Sequence, residues 1–472
     1  MLDEEIVGPV TSRVAEWAAG LVYDDIPSDV IEFTKRSILD GIGCAVRGLE
    51  LETGALILEY AGGLDAGKPD ASVWGTGIEL PVRTAGLVNG TTAHAPNIGD
   101  SFNAHPVHTN YLMPQAAIAV AEKEQLSGRE VIAACVAGTE VCLRAAVATD
   151  VSGRGGYFDA GSRGWQATGA LGAIGTSVAT ARLLELNPER MVQALVLGGT
   201  QLAGVYRPSG GYMGKSLFAG RSVASGIENG YIARTGFEAG YRLYEDGLCF
   251  GSGIVSPNYN LEESAADLGA VWRSREVDFC IHPAKKTFNA NIDSLLEILR
   301  KEDLEFSEIA RIDLLSAYVS AHAHDFFRAP NNSTEAFNNL RYIAAATAMD
   351  GEYWFDQLLE EKYTNADILR FASENVKIVR SQELERLTGR SWPGGAEIAT
   401  KDGQRHRVCL TAHKGEITNP LTKQELEAKF RRMTERLGYH WATRVIDAVD
   451  NLETLDDMRD LKAALRPHSA SG

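Results

Sequence analysis

Between positions 99 and 114 the chain reads GDSFNAHPVHTNYLMP, with His105 and His108 three residues apart, Asp100 and Ser101 before them and an apolar helical pattern beginning after them. A zinc centre needs three or four ligands in fixed geometry. Together with His94 upstream, this stretch offers an HxxH pair in an irregular loop, but no HExxH, CxxC or matching carboxylate completes a set, so no metal is expected. An acid–base site asks for less. A histidine beside Asp100 can titrate near neutral pH, and a loop preceding a helix lies where backbone amides favour an anion. Hydrogen bonding of His105 and His108 within their own loop is the third reading the residues admit.

Other stretches could add chemistry. In YRPSGGYMGKSLFAGR, Lys215 opens a helix behind a glycine-rich loop that also carries Arg207 and Tyr212. Such a loop can gather backbone amides and an ammonium around a carboxylate or phosphate, although its glycine spacing is not that of a nucleotide-binding P-loop. The glycine-rich SGRGGYFDAGSRGWQATG, ending in Arg163, Trp165 and Gln166, is the usual material of an active-site rim. Further on, IHPAKKTFNANID places His282, Lys285, Lys286 and Asn289 between a strand and a helix, where the lysines form either a solvated edge or a positive patch for a ligand. No GxSxG occurs, and no GxGxxG follows a strand, so hydrolase and dinucleotide readings lack support.

The elements that must position these residues are mostly helices. Up to about residue 270 a cap or proline signal repeatedly precedes fifteen to twenty residues with apolar positions at three-to-four spacing. Pro27 and Ser28 open one such helix, Ser127 and Glu130 form a capping box for another, and Asn187-Pro188 opens a third. Their apolar faces are rich in Gly and Ala, which permits close helix approach and predicts a tightly packed all-α body. After residue 270 the texture changes. REVDFCIHP and IARIDLLSAYVSA read as strands, NANIDSLLEILRKE and AFNNLRYIAAATAMDG as helices, and AEIATKDGQRHRVCLTA as a hairpin turning at Asp402-Gly403. The fold class is therefore mainly α with a smaller α+β domain. The expected boundaries are 1–270 for the helical domain, 271–415 for the α+β lid, and 416–472 for helices returning to the first domain.

Composition restricts the partners. A chain of 472 residues can bury a substantial core. Its formal net charge of −17, spread along the chain, disfavours nucleic acid and anionic membrane surfaces. The six scattered cysteines suit reduced thiols in a cytoplasmic protein, with Cys135 and Cys142 on one helix face as core. No run of eighteen apolar residues occurs, so no membrane span is expected.

Taken together, NGTTAHAPNIGDS, MPQAAIAVAEKEQLSGREVI, GTEVCLRAA, GYMGKSLFAGRSVASG, FNNLRYIAAATAMDG and ITNPLTKQELEAKF resemble the MmgE/PrpD family over most of the chain. That family includes 2-methylcitrate dehydratase, cis-aconitate decarboxylase and iminodisuccinate epimerase. The resemblance implies a helical domain built from both chain ends and an α/β lid, usually in a homodimer. It also implies no cofactor, and small di- or tricarboxylate substrates bound between the domains. Asp100 and Ser101 stand where the family has the end of its D-D-T. His108 matches its histidine before the apolar helix with a one-residue gap, His105 being the rival, and Lys215 matches its lysine. Gln166 and Asn289 stand where it has histidines, Cys280 where it has a lysine, and Lys286 where arginine is frequent. Neither amide can act as an acid or base near pH 7.

The expectation is thus a lyase or isomerase, working by proton transfer on a small carboxylic acid or related carbonyl compound, with altered pocket chemistry. Asp100, His105, His108 and Lys215 are its candidate proton carriers, and Ser101, Arg163, Trp165, Gln166, Arg207, Tyr212, Lys286 and Asn289 the candidate substrate contacts. Tyr157, Phe158, Trp165, Tyr206 and Tyr212 would favour a larger, less charged ligand than citrate. The alternative is a binding homologue that has lost the chemistry.

Overall fold

The computed structural model describes residues 6–63, 67–102, 107–149, 164–201, 204, 212–245, 259–317, 327–387 and 391–467. Two compact units divide the chain, one formed by residues 1–277 with 422–472 and the other by residues 278–421.

The first unit is helical. Its first part comprises α1 (Pro9–Gly20), α2 (Ser28–Gly48), α3 (Glu52–Gly63), α4 (Val82–His94), α5 (Met113–Glu124), α6 (Gly128–Ala148), α7 (Ala167–Leu183), α8 (Pro188–Thr200) and α9 (Gly214–Thr235). Two short antiparallel strands, β1 (Ala71–Ser72) and β2 (Glu79–Leu80), precede α4, and β3 (Asp100–Phe102) lies between α4 and α5. The caps act as the sequence predicts. Ser127 and Glu130 close a reciprocal capping box at the start of α6, and Asn187 accepts from the Arg190 amide ahead of Pro188 at α8. Helix α6 has the length and apolar composition to cross a membrane, which the run-length argument did not register. However, 94% of its apolar window is buried inside the protein, so here it is a core helix. Cys135 and Cys142 both lie buried on it.

Helix α9 packs against α4 and α7. At the α4–α9 crossing a Cβ on Gly220 would meet the Leu87 carbonyl at 2.4 Å and Thr91 Oγ1 at 2.1 Å, and one on Gly90 would meet the Gly220 Cα at 2.9 Å. The backbones touch at these two residues. This sets the spacing of the α4 C-terminus, ending at His94, and the α9 N-terminus, where Lys215 sits.

After the short strand β4 (Val277–Phe279), the second unit is a four-stranded sheet covered by helices. Its strands, β5 (Ile309–Ser316), β6 (Val376–Arg380), β7 (Gly394–Thr400) and β8 (Arg405–Leu410), are ordered β6-β5-β7-β8. β5 pairs parallel with β6 and antiparallel with β7, which pairs antiparallel with β8. The hairpin turns at Asp402-Gly403, with Gly403 at φ 92°. Helix α10 (Asn289–Lys301) packs on β7 and β8, and Asn291 Nδ2 pins it by donating to the carbonyls of Leu315 (2.8 Å) and Gly395 (2.7 Å). The helix expected over AFNNLRYIAAATAMDG is interrupted. A short turn of helix ends at Phe337, and α11 (Leu340–Asp350) begins afresh because the Asn339 side chain accepts from the Tyr342 amide and caps the second piece.

The chain then returns to the first unit through α12 (Lys423–Met433), α13 (Tyr439–Asp450) and α14 (Arg459–Leu465). Thr422 and Glu425 form a second capping box at α12, which lies against α2.

Gly220→Ala is expected to lower the unfolding free energy by about 1–3 kcal/mol in a urea titration, because the methyl must part α4 from α9. Gly62→Ala, at the end of α3 where nothing lies within 4 Å of an added Cβ, should leave stability unchanged or raise it. Equal stability of the two variants would remove the crossing as a constraint.

Candidate active site

The candidate residues of the first unit gather where α4 ends, β3 passes and α5, α7 and α9 begin. Asn97, held in the left-handed region at φ 54°, turns the chain just beyond α4. Its Oδ1 accepts a 2.7 Å hydrogen bond from Lys215 Nζ in the first turn of α9. His108 is fixed twice. Its backbone amide donates to Thr168 Oγ1 at 3.2 Å, and its ring Nδ1 donates to the backbone carbonyl of Asp100. The link between these two residues therefore runs through the Asp100 main chain and not its carboxylate. Donation through Nδ1 makes Nε2 the basic nitrogen of the neutral ring.

Three rings converge there. The His94 centroid lies 5.5 Å from that of His108 and 4.8 Å from that of Tyr111, and His108 and Tyr111 are 5.2 Å apart. The Tyr111 hydroxyl accepts from the Gly99 amide at 2.6 Å. His94 is buried, and burial, followed by the positive charge of Lys215, holds its basicity well below the ordinary imidazole range. It lies beside the Lys215 backbone, yet its ring nitrogens make no hydrogen bond of normal geometry among the described residues. His94 is thus a neutral, polarisable wall between the other histidine and the lysine.

The Asp100 carboxyl is completely buried. Its Oδ2 accepts from the Thr109 hydroxyl (2.5 Å), the Thr109 amide (3.2 Å) and the Asn110 amide (2.9 Å), while Oδ1 has no hydrogen-bond partner among the described residues. Burial outweighs these donors and pushes the carboxyl up to about 7. The same environment drives the thiol of Cys142 up to about 12, through burial first and the Asp100 charge second, so it is inert.

The other expected contacts divide. His105, Arg163 and Arg207, with Tyr157, Phe158 and Tyr206, lie outside the described residues. Ser101 is buried in β3, Trp165 is half-buried and Tyr212 is exposed. Gln166 caps α7, its Oε1 accepting from the Gly169 amide at 2.7 Å. In the second unit, Lys286 forms an ion pair with the buried Asp278 at 2.5 Å. Asn289 accepts from the His282 amide (3.3 Å) and donates to the Lys285 carbonyl (3.2 Å), shaping the turn before α10.

Around that turn, three carboxylates take up backbone donors from the segments before β7 and after β8. Asp293 accepts from Lys414 N and from the His282 ring, Asp278 from Ile417 N, and Glu416 from Trp392 N. Burial, with Lys286 nearby, lowers His413 to about 4, and burial, with Asp278 nearby, raises Glu416 to about 7. Among the described residues no three His, Cys, Asp or Glu side chains gather as metal ligands.

Sequence reasoning did not reach Asn97, Tyr111 or the Asp40–Lys429 ion pair described below. For Asp40 a signal existed, an acid inside the apolar stripe SILDGIG of α2.

The MmgE/PrpD N-terminal domain model matches residues 12–261, and the MmgE/PrpD C-terminal domain model matches residues 282–454. Among curated proteins the chain is similar to the cis-aconitate decarboxylase-like protein oryM of Aspergillus oryzae, at 26% identity over 97% of each chain. It is similar to the cis-aconitate decarboxylase of Aspergillus terreus at 25% identity, covering 98% of this chain and 96% of the relative. The Homo sapiens cis-aconitate decarboxylase is 22% identical, covering 97% and 94%.

Because the Asp100 pKa is raised above its ordinary value, the folded protein holds this proton more tightly than the unfolded chain does. The stabilisation is complete below about pH 4 and is lost as pH rises through about 7. Asp100→Asn mimics the protonated acid and lacks this dependence. Between pH 5 and 8 the wild type is expected to lose of the order of a few kcal/mol relative to the variant in paired urea titrations. Parallel pH dependences would mean that the carboxyl is ionised throughout.

Proposed function

The chain belongs to the MmgE/PrpD family, and from that membership we propose that it is a lyase acting by proton transfer on a small di- or tricarboxylate. The observation that carries the reading is the placement of His108 and Lys215 about the neutral ring of His94, with Asp100 tied to His108 through its main-chain carbonyl. Loss of carbon dioxide or water next to a carboxylate needs a group to move a proton and a cation to steady the negative charge. His108, oriented through Nδ1, offers Nε2 for the proton. The Asn97 amide orients the Lys215 ammonium, a cation suited to a substrate carboxylate. Asp100, titrating near neutrality, can exchange charge with its surroundings at low energetic cost. These steps are of a kind that side chains perform unaided, so the proposed reaction uses no cofactor.

The relatives' name makes cis-aconitate the first substrate to test. An isomerisation or epimerisation would draw on the same proton carriers. One observation favours a different substrate or a pure binding role. Gln166, which stands where the family has a histidine, spends its carbonyl on a helix cap.

Purified protein should be incubated in D2O with cis-aconitate, citrate, 2-methylcitrate and larger apolar acids and followed by NMR. Turnover or solvent-deuterium incorporation is expected with at least one of them. His108→Ala and Lys215→Ala are each expected to lower kcat/KM by about 100-fold or more with the melting temperature retained. Ligand-induced thermal stabilisation without turnover or exchange across the panel would establish the binding homologue instead.

A further inference from the structure

Asp40 sits in the middle of α2, fully buried between Ile38, Leu39 and Ile42. Its counter-charge comes from the far end of the sequence, since Lys429 of α12 places Nζ 2.6 Å from Asp40 Oδ1 with both side chains buried. A buried ion pair seldom adds stability over apolar residues of the same size, so its presence here points to a role other than stability. Here the pair grips both ends of one segment. Lys429 Nζ also donates to the Ile98 carbonyl at 2.7 Å, and Asp40 Oδ2 accepts from Asn110 Nδ2 at 2.7 Å. The Asn110 amide in turn donates to Asp100 Oδ2 at 2.9 Å, and its carbonyl accepts from Gln115 Nε2 at 2.8 Å. Between Ile98 and Asn110 lie Asp100, Ser101 and His108.

We infer that Asp40 and Lys429 are positioning residues, a buried clamp that holds Ile98 and Asn110 and thereby fixes Asp100 and His108, which lie between them in the chain. This rests on the reading of that segment as the proton-transfer site. Asp40 is faced by Lys429, Arg36 and Asn110, and Asp100 by Asp40, Thr109 and Asn110, with Cys142 within electrostatic range. The Asp40 charge opposes ionisation of Asp100, and the clamp also holds Asn110, whose backbone amide donates to Asp100, so removing the pair displaces the Asp100 titration and loosens the hold on His108.

The test uses the full chain carrying Asp40→Asn with Lys429→Met, which removes both charges and leaves neither unpaired. In the substrate-free protein, infrared difference spectra across pH read the protonated carboxyl band of Asp100, identified by its absence in Asp100→Asn. The expected result is a folded double variant whose Asp100 midpoint is displaced from that of the wild type. With any carboxylate the wild type turns over, kcat should fall about tenfold or more while KM changes less. Wild-type titration and wild-type kcat in a folded double variant would overturn the clamp. Should that variant not fold, Asn110→Ala cuts the link to Asp40 while keeping the ion pair, and must reproduce the fall in kcat or the shift in the Asp100 midpoint. A wild type without turnover would defeat the functional reading alone, because the titration still decides the positioning role.

Discussion

The touching backbones of α4 and α9 at Gly90 and Gly220 set the geometry on which the first unit's chemistry depends. Helix α4 ends one turn after Gly90, at His94, and α9 begins shortly before Gly220, with Lys215 in its first turn. A crossing wider by one methyl group would part the imidazole from the ammonium. At the observed spacing, burial and then the lysine's charge keep His94 neutral, and its ring lies against those of His108 and Tyr111. Small residues on these helix faces therefore do more than fill space, because they convert a packing distance into an electrostatic environment.

Charge is buried in both units, but by different means. In the first unit Asp100 keeps its proton near neutrality because its hydrogen bonds, all to one oxygen, do not offset complete desolvation. In the second unit Asp278, Asp293 and Glu416 accept from backbone amides of irregular segments, and Asp278 also has Lys286. The sheet and α10 carry the turn that brings His282 and Lys286 to these acids. Lys286 thus has a structural partner within its own unit, whatever else it contacts.

Much of the architecture was legible because its signals are local. The Ser127–Glu130 box, the Asn187-Pro188 start and the Asp402-Gly403 turn each depend on a few adjacent residues, and each forms as those residues dictate. The break at Asn339 was as local but was masked by the apolar periodicity continuing across it. The candidate site was legible in residue type, as in Lys215 at a helix start, but not in its connections. No spacing rule reveals that His108 would bond to a main-chain carbonyl, that Gln166 would serve as a helix cap, or that Asn97 would orient Lys215. These contacts depend on which backbone groups tertiary packing leaves exposed to them. The Asp40–Lys429 pair is the extreme case, since its members come from opposite ends of the chain.

That pairing has a consequence for biosynthesis. Asp40 and Ile98 leave the ribosome long before Lys429 is translated, and until α12 arrives the acid has no ammonium to accompany it into the interior. The early helices can form and collapse, but at this point their packing must stay open or hold a protonated carboxyl. A chain broken off before residue 422 would therefore carry a buried acid without its lysine partner, and completion of the polypeptide is written into the order in which its core can close.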